Sequence, residues 1–300
     1  MTLMKRKYFI LLFAILNFLM TNAQDKPLKI IIFGAHPDDC DLKAGGTAIR
    51  FAQLGHKVKF VSCTNGDAGH QSMGGGALAK RRMAEAAEAG KRFGVEYIVL
   101  DNHDGELMPT LENRLKVIRE IRNWEADVVI SHRPNDYHPD HRYTAILVQD
   151  AAYLVIVPNV APDVTPLKKN PVFLYLMDNF QKPNPFVPAI AVDIDDVFNQ
   201  KIKAMSAHES QFFEWLPWTQ GETALAEVPE YEIERLKWLA SKRQYKISPA
   251  MRQSLVKWYG ENHAGQVENA EAFEICEYGV QPSDEQIKKL FPMLGQKAGQ

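Results

Sequence analysis

The sequence has almost no net charge. Its 37 Asp and Glu residues and 35 Lys and Arg residues give a formal net charge of −2. Proteins that bind nucleic acids or membrane surfaces through charge present a strongly basic face, and the balance here argues against both classes. We therefore expect a small molecule or a glycan as the partner and no nucleic acid, and an oligomer remains compatible with the sequence.

Cysteine is also scarce. The only three are Cys40, Cys63 and Cys276, whereas a disulfide-stabilised domain has a higher and usually even number. Free cysteine is among the most buried residue types, so we predict three buried free thiols. A bridge between Cys40 and Cys63, which both follow predicted strands, is the alternative.

The sequence has no internal repeat and no low-complexity tract. With 300 residues and 46% hydrophobic content, it is long enough to bury a large core. We predict a single domain over residues 24–300. Its core covers about residues 28–210, and residues 211–300 are predicted to form a C-terminal extension of helix and loop.

The first 23 residues differ from the rest of the chain. A basic cluster at residues 5–7 precedes an apolar stretch at residues 8–20, which is short for a membrane span. Thr-Asn-Ala at residues 21–23 is a small-x-small cleavage pattern. We predict a cleaved signal peptide over residues 1–23 and a secreted or periplasmic mature protein without a membrane span. A retained membrane anchor is the alternative.

An apolar run ends abruptly in a polar cluster near the start of the predicted mature chain. Residues 30–33, Ile-Ile-Ile-Phe, are typical of a strand that is buried on both faces. His36 and Asp39 follow three residues apart, so a single turn directs both to one side. Imidazole nitrogen and carboxylate oxygen are suitable ligands for a divalent cation such as zinc, and Asp38 lies beside them.

Strand and helix patterns alternate after this cluster, as in βαβ units. We predict an α/β, Rossmann-like fold with a mostly parallel sheet, helices on both faces and a ligand site at the carboxyl ends of the strands. The glycine-rich stretch 64–76 follows a predicted strand and should border that site. The further predicted strands are residues 57–63, 95–100, 127–131, 172–177 and 189–193, and the predicted helices are residues 45–54, 79–93, 110–124, 141–157 and 196–209.

A second polar cluster follows the strand at residues 127–131. Together the clusters offer four candidate ligands, which are His36, Asp39, His138 and His141. A catalytic zinc ion takes three protein ligands and leaves a position for water. His36 and Asp39 form a pair, and His141, at the predicted start of a helix, can project towards them. This leaves His138 as a non-ligand near the water.

Such a site has the groups that amide hydrolysis requires. Zinc lowers the pKa of water and polarises a carbonyl, a carboxylate takes the proton, and a cationic imidazole stabilises the oxyanion. Asp38 is the candidate for the carboxylate that takes the proton, and His138 is the candidate for the imidazole that stabilises the oxyanion. Asp140 can hydrogen-bond an imidazole nitrogen and set its tautomer and charge. Four other histidines are expected at surface or loop positions without a role, namely His56, His70, His132 and His208.

The two clusters resemble the signature motifs of the LmbE-like, or PIG-L, family of zinc-dependent N-acetylglucosamine deacetylases. The resemblance spans roughly residues 28–210. The two signature segments are Ala35-His36-Pro37-Asp38-Asp39 and His138-Pro139-Asp140-His141. Similar family features lie at Thr64-Asn65-Gly66-Asp67, Arg82-x-x-Glu85 and Asp104, with a weak echo at Glu271-Ala272-Phe273.

The resemblance implies that zinc, or another divalent metal, is held by His36, Asp39 and His141. It makes Asp38 the general base, and His138 the group that stabilises the oxyanion and protonates the leaving amine. It also implies that Arg82 and Asp104 contact sugar hydroxyls or a neighbouring group.

One position departs from the family pattern. The family usually continues its first motif with Glu, and this chain has Cys40. Because that Glu is not a metal ligand, we expect the metal site to persist. A thiolate so close to the site is expected to alter the metal environment or to oxidise, which would change the level of activity more than the type of reaction.

Three functions therefore compete. The first is an exported zinc hydrolase that removes an N-acetyl or another N-acyl group from an amino sugar or its conjugate. The second, suggested by Cys40, is a non-catalytic metal- or sugar-binding module, but such a module needs neither Asp38 nor His138. The third, a nucleotide-dependent Rossmann enzyme, is disfavoured because carboxylates in the first loop repel phosphates. We expect the first function.

Overall fold

The computed structural model describes residues 26–244 and 246–295. The predicted signal peptide at residues 1–23 lies outside the described residues. In the described part of the chain, no helix is both long enough and apolar enough to cross a lipid bilayer.

Seven strands of the described chain form one sheet. They are β1 (Lys29–Gly34), β2 (Lys57–Ser62), β3 (Glu96–Val99), β4 (Val128–Ser131), β5 (Val172–Leu176), β6 (Ile190–Asp193) and β7 (Ala270–Gly279). The strand order is β3-β2-β1-β4-β5-β7-β6. The first five strands of this order are parallel, and β7 is antiparallel to both of its neighbours. Residues 30–32 of β1 are fully buried, as their β-branched run predicts.

Helices cover both faces of the sheet. The first five are α1 (Asp39–Gln53), α2 (Gly75–Phe93), α3 (Leu111–Trp124), α4 (Pro139–Leu154) and α5 (Phe198–Met205). The later ones are α6 (Leu216–Thr219), α7 (Glu222–Ala226), α8 (Glu232–Arg243), α9 (Pro249–Tyr259), α10 (Glu261–Ala264) and α11 (Asp284–Leu290). Residues of α1, α2 and α5 share an apolar cluster with Ile30 and Ile32, whereas residues of α3 and α4 cluster with Ile31 and Phe33. Successive residues of a strand point to opposite faces. The predicted Rossmann-like α/β fold is confirmed.

Three helices begin earlier than the sequence pattern predicted, and one of them is α2, which begins at Gly75 rather than at residue 79. Helix α1 begins at Asp39 rather than at residue 45, and α4 begins at Pro139 rather than at residue 141. Proline is well suited to the first helical position, and acidic residues are favoured in a first turn by the helix dipole. Both polar clusters therefore extend into first helical turns, which fixes their side chains more firmly than a loop would.

The predicted helix at residues 196–209 is shorter than expected. A 3-10 turn at Asp195–Val197 precedes α5, and a π-helical segment follows at Ser210–Trp215. The cysteine prediction is confirmed, since all three cysteines are free and buried.

The C-terminal segment supplies a strand that the sequence pattern did not predict. Residues 211–300 were expected to form helix and loop, but β7 inserts between β5 and β6. Glu271 is buried in this strand, and Glu274 and Glu277 follow it, so the alternation that marks a strand is obscured. The C-terminal segment is therefore part of the central sheet.

Candidate metal centre and active site

The two polar clusters meet at one edge of the sheet. Strands β1 and β4 are parallel neighbours, with Phe33 opposite Ser131, so the segments that leave their carboxyl ends emerge side by side. The first turn of α1 carries Asp39, and the first turn of α4 carries His141. This is the edge at which open α/β sheets bind ligands.

Donor atoms of the three predicted ligands lie close together. His36 Nδ1 lies 3.2 Å from His141 Nε2, and His141 Nε2 lies 3.4 Å from Asp39 Oδ1. The other oxygen of Asp39, Oδ2, lies 3.5 Å from His36 Nδ1. Ligand atoms bound about 2.0–2.1 Å from a tetrahedral zinc ion are about 3.3–3.4 Å apart. These distances suit a divalent metal ion, and the assignment of His36, Asp39 and His141 as its ligands stays a prediction.

Carboxylates hold both imidazoles in the orientation that a metal ligand needs. His36 Nε2 lies 3.1 Å from Asp104 Oδ1 and 3.3 Å from Asp140 Oδ2, so Nδ1 is the nitrogen that faces the other two ligands. His141 Nδ1 lies 3.0 Å from Asp136 Oδ1, so Nε2 carries its lone pair. Carboxylates placed in this way fix the tautomer of a ligating histidine and raise its basicity.

The electrostatics of the cluster favour a cation at its centre. Burial alone would lower the pKa of His36, yet the three neighbouring carboxylates raise it well above its ordinary value. Burial would raise the pKa of Asp39, but the imidazoles of His141 and His132 hold it well below its ordinary range. Surroundings that keep Asp39 ionised and stabilise positive charge at His36 also suit a divalent metal ion.

Asp140 is fully buried and holds the loop after β3 against α4. Besides facing His36, its carboxylate accepts the backbone N–H of Gly105 at 2.7 Å and that of Leu107 at 3.2 Å. All of these contacts are to the protein. Asp140 therefore holds the His36 imidazole in place.

His138 caps the N-terminus of α4. Its Nδ1 accepts the backbone N–H of Asp140 at 3.2 Å, so Nε2 carries the ring hydrogen. Burial and the charges of His36 and His141 lower its pKa. The sequence suggested a cationic imidazole, whereas this geometry presents a neutral ring that donates one hydrogen bond through Nε2. A nitrogen of His138 also lies within 4.8 Å of ligand atoms of His36 and His141, so the ring borders the cluster.

Asp38 is buried beside the ligand Asp39. Burial raises its pKa, and the charge of Arg82 partly offsets this effect, since Arg82 Nη2 lies 3.4 Å from Asp38 Oδ1. A carboxylate with a raised pKa suits a general base near neutral pH. Arg82 is only 1% exposed and also donates to the Pro37 carbonyl at 3.2 Å. It therefore orients the Asp38 loop, and its contact with a sugar stays a prediction.

The glycine-rich stretch 64–76 borders the site, as predicted. A Cβ on Gly66 would lie 2.7 Å from Arg82 Nη1, and one on Gly69 would lie 3.1 Å from Asp104 Oδ2. Glycine is needed at both places because a larger residue would displace these groups. One oxygen of Asp104 faces His36 and the other faces this loop, and contact with a sugar stays a prediction for Asp104 as well.

Two histidines that were expected at the surface are buried. The His132 ring stacks on His141 with centroids 4.3 Å apart, its Nε2 lies 3.3 Å from Asp39 Oδ2, and burial lowers its pKa to about 4. His132 is therefore a neutral, buried ring that packs against the predicted metal ligands Asp39 and His141. Its position directly after β4 was the available signal. His208 is fully buried against Asp41, with Nε2 and Oδ1 2.9 Å apart.

Cys40 does not supply the thiolate that the sequence suggested. The side chain is fully buried in the apolar cluster of Ile32, and Sγ lies 3.4 Å from the Ile32 carbonyl oxygen. Burial raises the pKa of the thiol well above its ordinary value, so it stays protonated. The expectation that a thiolate perturbs the metal is therefore wrong.

A cavity of about 650 Å³ opens onto the metal ligands. Its lining includes Asp39, His141 and Tyr137 together with residues of α8, α9 and β7. The cavity provides room for a ligand much larger than a metal-bound water molecule.

Comparison with known proteins identifies the family. The family model PIG-L, described as GlcNAc-PI de-N-acetylase, matches residues 31–152. The diacetylchitobiose deacetylase of Thermococcus kodakarensis is 32% identical over 203 residues, which cover 63% of this chain and 73% of that protein. The chain belongs to the PIG-L family. This PIG-L protein is also 25% identical over 241 residues to the 1D-myo-inositol 2-acetamido-2-deoxy-alpha-D-glucopyranoside deacetylase of Rhodococcus erythropolis, with 61% of this chain and 81% of that protein covered. The prediction of a PIG-L enzyme of the deacetylase class is confirmed.

Solved structures agree with the PIG-L fold. The N,N'-diacetylchitobiose deacetylase of Pyrococcus horikoshii has a TM-score of 0.61 at 24% identity, covering 92% of this chain and 94% of that one. The 4-carboxy-2-hydroxymuconate hydratase of Pseudomonas putida has a TM-score of 0.64 at 18% identity, covering 85% and 99%. These similarities establish the fold alone. Since one of these chains is a hydratase, the function of the PIG-L protein must be argued from its site.

Proposed function

We propose that this PIG-L protein is an exported, zinc-dependent hydrolase that removes the N-acetyl group from an N-acetylglucosamine-type sugar or glycoconjugate. The observation that carries the proposal is the position of Asp38 and His138 beside a His-Asp-His set of donor atoms 3.2–3.5 Å apart. The names of the two curated relatives, which describe deacetylases of N-acetylated amino sugars, support the substrate class. The signal-like residues 1–23 support export.

Zinc suits the donor set better than the harder divalent ions. Imidazole nitrogens and one carboxylate form the kind of three-ligand set that catalytic zinc sites use, whereas calcium and magnesium prefer oxygen. When bound by His36, Asp39 and His141, zinc would polarise the carbonyl of the substrate amide and lower the pKa of a water molecule.

Asp38 acts as the base in this proposal. Burial raises its pKa and Arg82 keeps part of the carboxyl ionised, so it can take a proton from the attacking water. The same carboxyl then holds the proton that the leaving amine nitrogen needs. Loss of the amine and release of acetate leave Asp38 ionised for the next cycle.

His138 stabilises the oxyanion in this proposal. Its Nδ1 is fixed by the Asp140 backbone N–H, so the Nε2 hydrogen has a defined direction. A preorganised donor aimed at developing negative charge contributes typically several kcal/mol, about 2.7–4, to catalysis. The neutral ring suffices for this task because it needs only one N–H.

A non-catalytic metal- or sugar-binding module is the rival function. Binding alone requires neither a buried base nor a fixed imidazole donor, so the presence of Asp38 and His138 argues against it. Hydrolysis of a different N-acyl group is a variant of the same reaction.

The deciding experiment measures acetate release from a panel of N-acetylglucosamine conjugates. Purified residues 24–300 are stripped of metal, assayed, and assayed again after zinc is restored. Release that depends on zinc supports the proposal. Absence of release from every conjugate, with one metal ion bound per chain, favours the binding module or another acyl group.

A further inference from the structure

The acidic groups in the wall of the 650 Å³ cavity are already engaged. Each of the four carboxylates in the wall has a close basic partner. The pairs are Asp39 with His36 and His141, Asp136 with His141, Asp178 with Arg133, and Glu271 with Lys201. Asp178 and Glu271 are therefore each neutralised by a permanent cation, and Asp39 and Asp136 are occupied by the histidines of the predicted metal centre.

Three basic side chains in the same wall lack a carboxylate partner among residues 26–244 and 246–295. They are Lys43, Arg243 and Lys246. The Lys43 ammonium donates to the Met177 carbonyl at 3.1 Å and forms no ion pair. The Arg243 guanidinium carbon lies 5.1 Å from the centre of the Phe212 ring, and its Nε is buried without a hydrogen-bond partner. These three side chains therefore bring positive charge to the cavity that no carboxylate of the described residues neutralises.

These cations come from two sides of the cavity. Lys43 lies four residues after the ligand Asp39 on α1, so both side chains leave the same face of that helix. Arg243 ends α8, and Lys246 lies in the segment that leads to α9. A group bound in this cavity therefore shares its lining with these three cations and with Asp39 and His141.

We propose that this cavity binds an oxyanion of the substrate, a phosphate, sulfate or carboxylate group attached to the N-acetylated sugar. The inference rests on the proposed function, because the metal centre would hold the acetamido group while the cavity holds the rest. Lys and Arg form strong charge-assisted hydrogen bonds to oxyanions, and the cavity volume is typical of pockets for ligands of this size. The substrate is then an acidic glycoconjugate, in contrast to the uncharged disaccharide named for the Thermococcus relative.

Calorimetric titrations of the zinc-loaded protein test this inference. The probes are N-acetylglucosamine, its 1-phosphate and 6-phosphate, and a derivative with a carboxylate on the sugar. We expect at least one anionic probe to bind about tenfold more tightly than the neutral sugar, and the difference to shrink as salt rises. The probe with the largest gain identifies which oxyanion the cavity prefers.

Substitutions then separate the cavity from the metal, which also attracts anions. The variant Lys43→Gln/Arg243→Gln/Lys246→Gln should lose the preference and bind neutral sugar as before. A matched variant, Lys168→Gln/Lys169→Gln, removes two exposed lysines before β5 and should keep the preference. Thermal unfolding checks the fold, and the single variant Lys43→Gln should lose part of the preference if the triple variant does not fold.

The outcomes distinguish this inference from the proposed function. Equal affinity for neutral and anionic sugars, or a preference that the Lys43, Arg243 and Lys246 variants retain, overturns the inference. If acetate is nevertheless released from neutral sugars, the proposed function stands. A preference for anionic sugars without acetate release would support the oxyanion site and contradict the proposed function.

Discussion

Lys201 and Glu271 form a buried ion pair, with Nζ and Oε1 2.8 Å apart, against the middle of helix α1. The carboxylate accepts two successive backbone N–H groups of that helix, beginning with Gly46 at 2.9 Å. The Lys201 ammonium donates to the carbonyl oxygen of Leu42 at 2.7 Å, which is the group that the Gly46 N–H reaches in an undisturbed helix. The pair therefore satisfies two backbone N–H groups and one carbonyl oxygen inside α1, as capping residues do at helix ends. It lies on the helix that carries Asp39.

Removing one member of this pair should be costly. We expect Glu271→Ala to lower the free energy of unfolding by about 3–5 kcal/mol, because it leaves the Lys201 ammonium buried without a counter-charge. The double variant Lys201→Met/Glu271→Leu should lose less. In the exposed pair of Lys257 and Asp284, Lys257→Ala should cost at most about 1 kcal/mol. Urea unfolding measures all three, and equal losses for the buried and exposed pairs would contradict the assignment.

Asp38→Asn should abolish turnover and spare the metal. We expect kcat to fall by at least about 100-fold, because the amide cannot take the proton, while zinc stoichiometry stays at the wild-type value. Asp163→Asn, which changes an exposed carboxylate paired with Arg119, should leave both quantities unchanged. The assay combines acetate release with metal analysis, and unchanged turnover in Asp38→Asn would remove Asp38 from the reaction.

Asp140→Asn and Asp104→Asn should weaken metal binding by about 10–100-fold, because each carboxylate holds the His36 tautomer. The effect should be larger for Asp140, which also holds the backbone at Gly105 and Leu107. Competition with a chelator measures the affinity, and Asp150→Asn on the exposed side of α4 is the control.

Assays at saturating zinc distinguish a carboxylate that only positions His36 from one that also contacts the substrate. It should restore kcat in Asp140→Asn. A raised KM that persists in Asp104→Asn at saturating zinc would reveal contact between Asp104 and the sugar.

The cysteines should be inert in the folded protein. Burial raises the thiol pKa of Cys40, Cys63 and Cys276, for Cys63 to about 12, so none is a thiolate at pH 8. We expect no thiol to react with a disulfide reagent before unfolding and three to react in denaturant. Cys40→Ala should keep turnover within about twofold, since the thiol carries no charge near the metal. A fast-reacting thiol in the native state would refute this assignment.

The features that were predictable from the sequence are local ones. Residues 30–33 indicate a buried strand, and the polar residues directly after two predicted strands indicate a ligand site at the strand ends. These signals depend on neighbours within a few positions, which is the range that a sequence pattern covers.

The features that were missed depend on distant contacts. His132 looks like a loop residue until its contact with Asp39, 93 positions away, is known. Glu271 looks like a surface residue of a loop until Lys201 is placed beside it. The tautomer of His138 is set by a backbone N–H of its own helix turn, and its pKa is lowered by burial and by neighbouring histidines, none of which a one-dimensional pattern contains.

The insertion of β7 between β5 and β6 has a consequence for the order of folding. Strand β6 pairs with β7 alone among the described strands, and β7 also supplies the carboxylate that contacts α1. The seven-stranded sheet cannot be completed until the chain has been synthesised past residue 279, because β7 must insert between β5 and β6. Pairings so far apart in sequence form slowly and late. A growing or truncated chain that ends before residue 270 therefore exposes the edge of β5 and leaves the helix of Asp39 without Glu271, so we expect that helix to be less stable until β7 has been added.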